Sequence, residues 1–595
     1  MIVYRAPLDD IRFGLYELFE YERTVATLPG CEAASRDVVD AVLEGAARFC
    51  ENELLPLNAP GDRAGCTFEN GVVHTPPGFK EAYRAFAAGG WTGLSADPAF
   101  GGQGLPHVLQ GVLDELVCAT NLSFGTYPGL TAAAYRALAR HGSEAQKARY
   151  LPRLVDGTWS GTMCLTEAQC GTDLGLIRSR AEPNGDGAWR VSGTKIFISA
   201  GEHDLTENIV HLVLARLPGA PAGTRGISLF LVPKFVVAAN GTVGARNGVT
   251  CSGIEDKMGI KASATCVLNF ENAAAELVGA PNKGMRTMFA MMNAARLAVG
   301  LQGLGLAETA YQSAAAYARE RRQGRALSGP RLASEPADPI LVHPDVRANL
   351  LRMRAVTEGA RALALWVGTA LDTAERHPDP ARRAEADDLV ALMTPIVKAF
   401  LTDHGFAATN LGLQVFGGHG YIRETGIEQL VRDARIAQIY EGTNGIQALD
   451  LVGRKMGQHT GRLLRRFFHP VAGFLADSSD DPALGEFVAP LAKAFARLQR
   501  ATAWLAQASL RDPEQAGAAA SAYLRLFALV ALAYLWARTA KIAMAKCGGE
   551  RDAFYRAKLA TARFYMARVL PETGALFAEM MAGAGPIMAV DEAWF

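Results

Sequence analysis

Apolar positions recur at helical spacing from Arg36 to about Leu154, as in VVDAVLEGAARF and LQGVLDELVCA, and the loop DPAFGGQG interrupts them. This first region reads as helical. From Gly161 to about Phe270 the texture changes to short β-branched and aromatic runs, AWRVSGTKIFIS, IVHLVLAR, ISLFLVPKFVV and TCVLNF, separated by Gly, Asn and Pro turns. These runs predict a compact β domain. Long helical patterns return from Gly284 to about Lys455, broken by GRALSGPRLASEPADP and RHPDPARR, and they predict a four-helix bundle. Helical patterning continues beyond Lys455, with breaks at DSSDDP and RDPEQAG, and predicts an appended helical domain. The fold expected is therefore mainly α with a central β domain. Its divisions are an N-terminal extension (1–35), a helical domain (36–160), the β domain (161–280), a helical-bundle domain (281–460) and a C-terminal helical domain (461–595).

The most apolar run, LFALVALAYLWA between Arg525 and Arg538, is too short for the roughly 20 residues of a membrane span, so a buried helix is expected and no membrane span. At 595 residues the chain is too long for one core. Its 60 basic and 60 acidic residues balance, which supplies no field to draw nucleic acid or an anionic membrane. Nine scattered cysteines without a C-x-x-C pair suggest neither a disulfide framework nor a metal site, and a reducing compartment follows. The opening MIVYRAPLDDIRFGLYELFEYER carries acids early and has no apolar core of signal-peptide length, so secretion is not expected.

Four segments carry candidate chemistry. VGLQGLGLAETA (Val299 to Ala310) has the wrong spacing for a dinucleotide fingerprint and no preceding strand, so its small residues serve close helix packing. GGHG (Gly417 to Gly420) lacks the Lys-Ser/Thr pair of a P-loop, although its backbone can still approach a phosphate. His419 has no second ligand at helical spacing and reads as a solvated or capping residue. CLTEAQCGTD (Cys164 to Asp173) sets hydroxyls beside a bare backbone, which suits a polar cofactor and an ordinary turn alike. In QIYEGTNGIQ, Glu441 is either a surface charge at a turn or a carboxylate in an apolar setting. The second would raise its pKa and suit it to take a proton from an acidified carbon.

In order along the chain, GWTGLSADPAFGGQGL, HGSEAQKARYLPRLVDGTWSGTMCLTEAQCGTDL, VSGTKIFISAGEHD, EDKMGIKASATCVLNF, ARLAVGLQGLGLAETAYQSAAAYARERR, LQVFGGHGYIRE and RDARIAQIYEGTNGIQ resemble the acyl-CoA dehydrogenase family, over about Gly90 to Lys455. The resemblance implies that family's fold, a helical domain, a β-barrel domain and a four-helix bundle. The N-terminal segment, the loop after Arg325 and the extra C-terminal domain look like the larger bacterial branch, which includes methylmercaptopropionyl-CoA dehydrogenases and enzymes acting on ordinary fatty acyl-CoA.

The resemblance also implies FAD, with Met163, Leu165, Thr166, Gly171, Thr172, Phe197 and Ser199 at the flavin and Thr443 contributing to the same cofactor. Met163 stands where the family more often has an aromatic, and Phe197 where it has Trp. Arg321, Gln414, Gly417 and Gly418 match the part that reaches the adenosine diphosphate half of a neighbouring subunit's FAD, where a positive fork suits pyrophosphate. RRQGR lacks the phenylalanine of the family's Arg-x-x-Phe-Gly. At least a homodimer is implied, and the C-terminal domain is expected to cover part of the dimer surface; a cytoplasmic location is expected from the scattered cysteines and the absence of an apolar signal-peptide core.

Glu441 matches the family's usual base, and Ala295, at the alternative position, cannot take a proton. Thr172, Asn293, Arg296 and Gly442 match substrate-side positions. The implied reaction removes the proton α to the thioester while a hydride leaves the β carbon, giving a trans-2-enoyl-CoA, with electron-transferring flavoprotein as acceptor. The thioester oxygen would receive the Glu441 backbone N–H. Met288, Met291 and Met292 either line the acyl pocket or belong to the core. Rival expectations are an acyl-CoA oxidase, which passes electrons to oxygen, and a catalytically silent acyl-CoA or flavin-binding scaffold. A nitroalkane oxidase is disfavoured because it uses Asp at the Glu441 position.

Overall fold

In a computed structural model of the chain, which describes residues 2–185 and 188–595, the β-branched runs pair into a seven-stranded sheet. Its strands are β1 (Trp159–Cys164), β2 (Arg180–Pro183), β3 (Trp189–Ser199), β4 (Asn208–Arg216), β5 (Ile227–Pro233), β6 (Val249–Ile254) and β7 (Thr265–Val278). They lie in the order β6-β7-β3-β2-β4-β1, and β5 pairs with both β4 and β7. β5 thereby closes a ring through β7, β3, β2 and β4, a small barrel flanked by β1 and β6. β1 runs parallel to β4, from Trp159 beside Asn208 to Cys164 beside Val213. The long β7 serves several partners because register shifts between Cys266 and Leu268 and between Phe270 and Ala273 bend it.

IVHLVLAR and ISLFLVP show no polar alternation because both faces of β4 and β5 are covered. Val210, Leu212, Leu214, Leu229 and Leu231 pack with Trp159, Tyr150 and the helical residues Ala134 and Leu138. Val213, Ala215, Phe230 and Val232 pack instead with Val191, Ile198 and Phe270. Met288 and Met291 are buried in the first of these cores, and Met292 packs against it. The helix His107–His141 breaks at Asn121, whose backbone is non-helical (φ −158°, ψ 88°). The Asn121 side chain restarts it by accepting from the Phe124 N–H at 3.0 Å.

The chain gathers into two compact units. One consists of Ala46–Leu105 and Leu116–Ala298 and holds the barrel; the other consists of everything up to Gly45, Pro106–Glu115 and Val299–Phe595. The second is built of long helices, with Pro344–Arg376 and Pro380–Phe416 followed by Arg462–Asp477, Gly485–Arg511, Pro513–Lys546 and Asp552–Phe564. The small residues of VGLQGLGLAETA let helices meet closely, since a Cβ on Gly303 would run into the backbone of Leu401 and Thr402. Trp536 packs over Gly359 and donates its indole N–H to the Ala355 carbonyl at 2.9 Å.

A buried ionic cluster ties distant segments of this unit together. Arg361 donates to Glu115 at 2.8 Å, Asp10 at 2.5 Å and Glu308 at 2.6 Å, and Lys558 bonds Asp10 and, at 2.7 Å, Glu358. Among the described residues one helix, Pro513–Lys546, is long and apolar enough to cross a membrane, and 83% of its most apolar window is buried within the protein. The apolar run recognised in the sequence is the middle of this longer core helix. All nine cysteines are free thiols, and Cys66 and Cys547 alone among them are partly exposed. The architecture is mainly α with a central β domain and further C-terminal helices, as the pattern predicts.

Candidate active site

In the barrel-containing unit the segment CLTEAQCGTD leaves the end of β1 and is clamped onto β3. Lys195, fully buried on β3, donates to the Leu165 carbonyl at 3.0 Å and to Glu167 Oε1 at 2.8 Å. Glu167 also accepts from the Ser179 N–H and hydroxyl and from the Arg178 N–H. The Ile196 N–H donates to the Thr166 carbonyl at 3.0 Å. Burial opposes the Glu167 charge, but the Lys195 ammonium and these hydrogen bonds outweigh it and hold the carboxyl at about 2. Burial in turn lowers the pKa of Lys195.

This clamp sets Leu165 and Thr166 against Lys195 and Ile196, the two residues before Phe197, with Gly171 and Thr172 on the exposed part of the same loop. Phe197 is 58% exposed and has φ +58°, rare for a bulky residue, and strain of this kind amounts to about 1–3 kcal/mol. A solvent-facing aromatic on strained backbone near the end of β3, threonines on the loop clamped to that strand and open space around Gly171 fit a flat, polar-edged ring such as a flavin. Sequence reasoning missed Glu167 and Lys195. The available signal was parity, because strand alternation puts Lys195 on the same inward face as buried Val191. Asn293 and Arg296 stand about one turn apart on the helix Gly284–Glu320, Asn293 exposed and Arg296 and Ala295 buried.

The helical unit holds the other candidates in two groups. At one helix end Tyr317, one turn before Arg321, stacks on Phe416 with ring centroids 4.2 Å apart, and its hydroxyl meets His419 Nδ1 at 2.8 Å. This joins the Arg321 end of the helix to the turn carrying Gly417 and Gly418. Arg321, Gln414, Gly417 and Gly418 are all exposed there, and Gly417 has φ +60°. His419 is thus a partner of Tyr317.

The second group is the Glu441 turn, where Glu441 has φ +57° and Gly442 φ +83°. A left-handed glutamate costs about 1–2 kcal/mol relative to a right-handed one, so side chains must hold it. Gln447 donates to the Glu441 carbonyl at 3.1 Å and the Gly442 carbonyl at 3.2 Å. Lys398 donates to the Gly442 carbonyl at 2.8 Å. The Tyr440 hydroxyl bonds Gln302. Thr443 accepts from the Ile446 N–H at 3.3 Å and caps the helix Asn444–Asp450. Glu441 is half-buried.

Family models for acyl-CoA dehydrogenases match in sequence order: the N-terminal domain at residues 37–158, the middle domain at 162–273 and the C-terminal domain at 282–456. A fourth, acetyl-CoA dehydrogenase C-terminal like, matches 467–591. The 3-methylmercaptopropionyl-CoA dehydrogenase of Ruegeria pomeroyi is 45% identical, over 96% of this chain and 97% of its own. A broad-specificity linear acyl-CoA dehydrogenase of Mycobacterium tuberculosis is 33% identical over the full length of both. The crystal structure of a Bacillus anthracis acyl-CoA dehydrogenase complexed with FAD has the same fold, with a TM-score of 0.76, 22% identity, and coverage of 96% of this chain and 90% of that one. With its middle barrel, its long-helix bundle and the further helices that follow, the chain belongs to the acyl-CoA dehydrogenase family.

Proposed function

We propose that the protein oxidises an acyl-CoA to its trans-2-enoyl-CoA with FAD as cofactor and Glu441 as base. The observation that carries this reading is Glu441 itself, a half-buried carboxylate held in a left-handed turn by side-chain donors. Such strain is kept where geometry matters more than stability. Ala295, at the alternative position for a base, has no proton acceptor.

Glu441 takes the proton α to the thioester, and its backbone N–H donates to the thioester oxygen as enolate-like charge develops. Gly442 leaves room for the thioester, and Thr172, Asn293 and Arg296 serve the substrate. FAD, when bound, accepts the hydride from the β carbon. Met163, Leu165, Thr166, Gly171, Thr172, Phe197 and Ser199 hold its ring, with Thr443 as a further contact. Arg321, Gln414, Gly417 and Gly418 hold the diphosphate half of a second copy's cofactor, which makes the working form at least a homodimer. Electrons leave to electron-transferring flavoprotein. Free thiols throughout suit a reducing compartment such as the cytoplasm.

The test is the visible spectrum of the purified protein without oxygen, before and after butyryl-, 3-methylthiopropionyl- or palmitoyl-CoA. The 3-methylthiopropionyl thioester comes first, because it is the substrate in the name of the Ruegeria relative. Bleaching of the flavin band by one thioester, and its loss in Glu441→Gln with FAD retained, is the expected result. A colourless protein, or a Glu441→Gln variant that bleaches as fast as the parent, overturns the reading. Peroxide formed stoichiometrically in air would make the enzyme an oxidase.

A further inference from the structure

Lys398 is fully buried on the helix Pro380–Phe416, and two hydrogen bonds orient its ammonium toward the Glu441 turn. Those bonds go to the Gly442 carbonyl and to Asn444 Oδ1, both at 2.8 Å. Asn444 is itself fixed, since its amide donates to Asp403 at 2.7 Å, to the Thr402 hydroxyl at 3.0 Å and to the Ala399 carbonyl at 3.2 Å. Gln438, at the other end of the turn, donates to the same Asp403 oxygen at 2.6 Å. A buried ammonium is costly to desolvate, and a neutral side chain could fill the same space.

What the ammonium achieves follows from the backbone. Two consecutive left-handed residues, Glu441 and Gly442, carry carbonyls that Gln447 and Lys398 hold from the protein side. The two carbonyls lie in the peptide planes that flank the Gly442 Cα, so anchoring them fixes the Gly442 dihedrals and the plane leaving the Glu441 Cα, against which its Cα–Cβ bond and its N–H are set. Both groups are used by the reaction, one to take the proton and the other to meet the thioester oxygen.

We propose that Lys398 is a positioning residue for this reaction: with Gln447 it holds the Glu441–Gly442 turn in the conformation from which Glu441 removes the α proton. The proposal rests on the reading of Glu441 as base. The test measures flavin reduction by the productive thioester in FAD-loaded parent, Lys398→Met, Gln447→Met, Glu441→Gln and the Lys398→Met/Glu441→Gln double variant.

A misplacement on the order of 1 Å costs about 100-fold in rate. Lys398→Met is therefore expected to slow reduction by about 10- to 100-fold, with KM and FAD content close to the parent's. In the Glu441→Gln background, where there is no base to position, the same change should leave the residual rate unaltered. Lys398→Met that reduces at the parent's rate, or that loses the same factor with and without Glu441, overturns the positioning role. Glu441→Gln at the parent's rate instead overturns the reading beneath it. Should Lys398→Met fail to bind FAD, Gln447→Met, which removes donors from the same carbonyls, decides by the same criteria.

Discussion

Glu167 and Lys195 are a buried ion pair whose work is to hold the backbone of Leu165 and Thr166 against β3. Lys195→Met leaves Glu167 without its cation in a site closed to water, and removing one member of such a pair costs about 3–5 kcal/mol. Reduced FAD content and a lower melting temperature are the expected outcomes, read by absorbance and calorimetry. The pair also sets an acid limit. Glu167 is held at about 2, below the ordinary 4.5, so its stabilisation is complete above pH 4.5 and fades as pH falls toward 2. Histidines act earlier. Burial pushes His203, His211 and His404 down to about 3 from 6.5. The unfolded chain gains protons there below pH 6.5 while the native state does not, so stability is present above 6.5 and is lost as pH falls. Melting temperature should decline between pH 7.5 and 5 even in buffers that keep FAD bound. At this scale the sequence reveals Glu441, because its Tyr-Glu-Gly-Thr setting is local. Lys195 and Lys398 stay hidden, because what they touch lies 28 to 46 residues away.

Helices and strands were legible where their period was strong. The helix Pro513–Lys546 announced itself by LFALVALAYLWA, yet its ends are less apolar and extend well beyond that run. The breaks inside elements were not legible, since Asn121 and the bulges of β7 depend on partners far along the chain. Helix contact at Gly359 is similarly tertiary. A Cβ there would meet Trp536 Nε1 at 2.8 Å and the Leu532 Cγ at 3.1 Å. Gly359→Leu is expected to overpack this contact and destabilise by about 1–3 kcal/mol, a change that denaturant titration would register as a lower midpoint.

Over the whole molecule, the buried cluster around Arg361 joins segments that the linear pattern lists separately: Asp10 near the start, Glu115 and Glu308 within long helices, and Lys558 among the last ones. Arg361→Met leaves three buried carboxylates short of their shared cation, so a loss of about 3–5 kcal/mol is expected, with earlier protease cleavage among the C-terminal helices. Cleavage at the parent's rate would contradict that. The apolar helices were visible in the sequence. Their ionic linkage was not, because a lone Arg on a helix face looks like a solvated charge until its neighbours are known.

The distribution of thiols makes the protein its own labelling scaffold. Seven cysteines are shielded, whereas Cys66 lies in the barrel-containing unit and Cys547 in the helical one. Burial pushes the Cys66 thiol up to about 11, which slows its reaction with a maleimide at neutral pH. One dye should therefore attach first at Cys547 and a second, more slowly, at Cys66. Wild-type enzyme would then carry a donor and an acceptor fluorophore, one on each unit, without a single engineered residue.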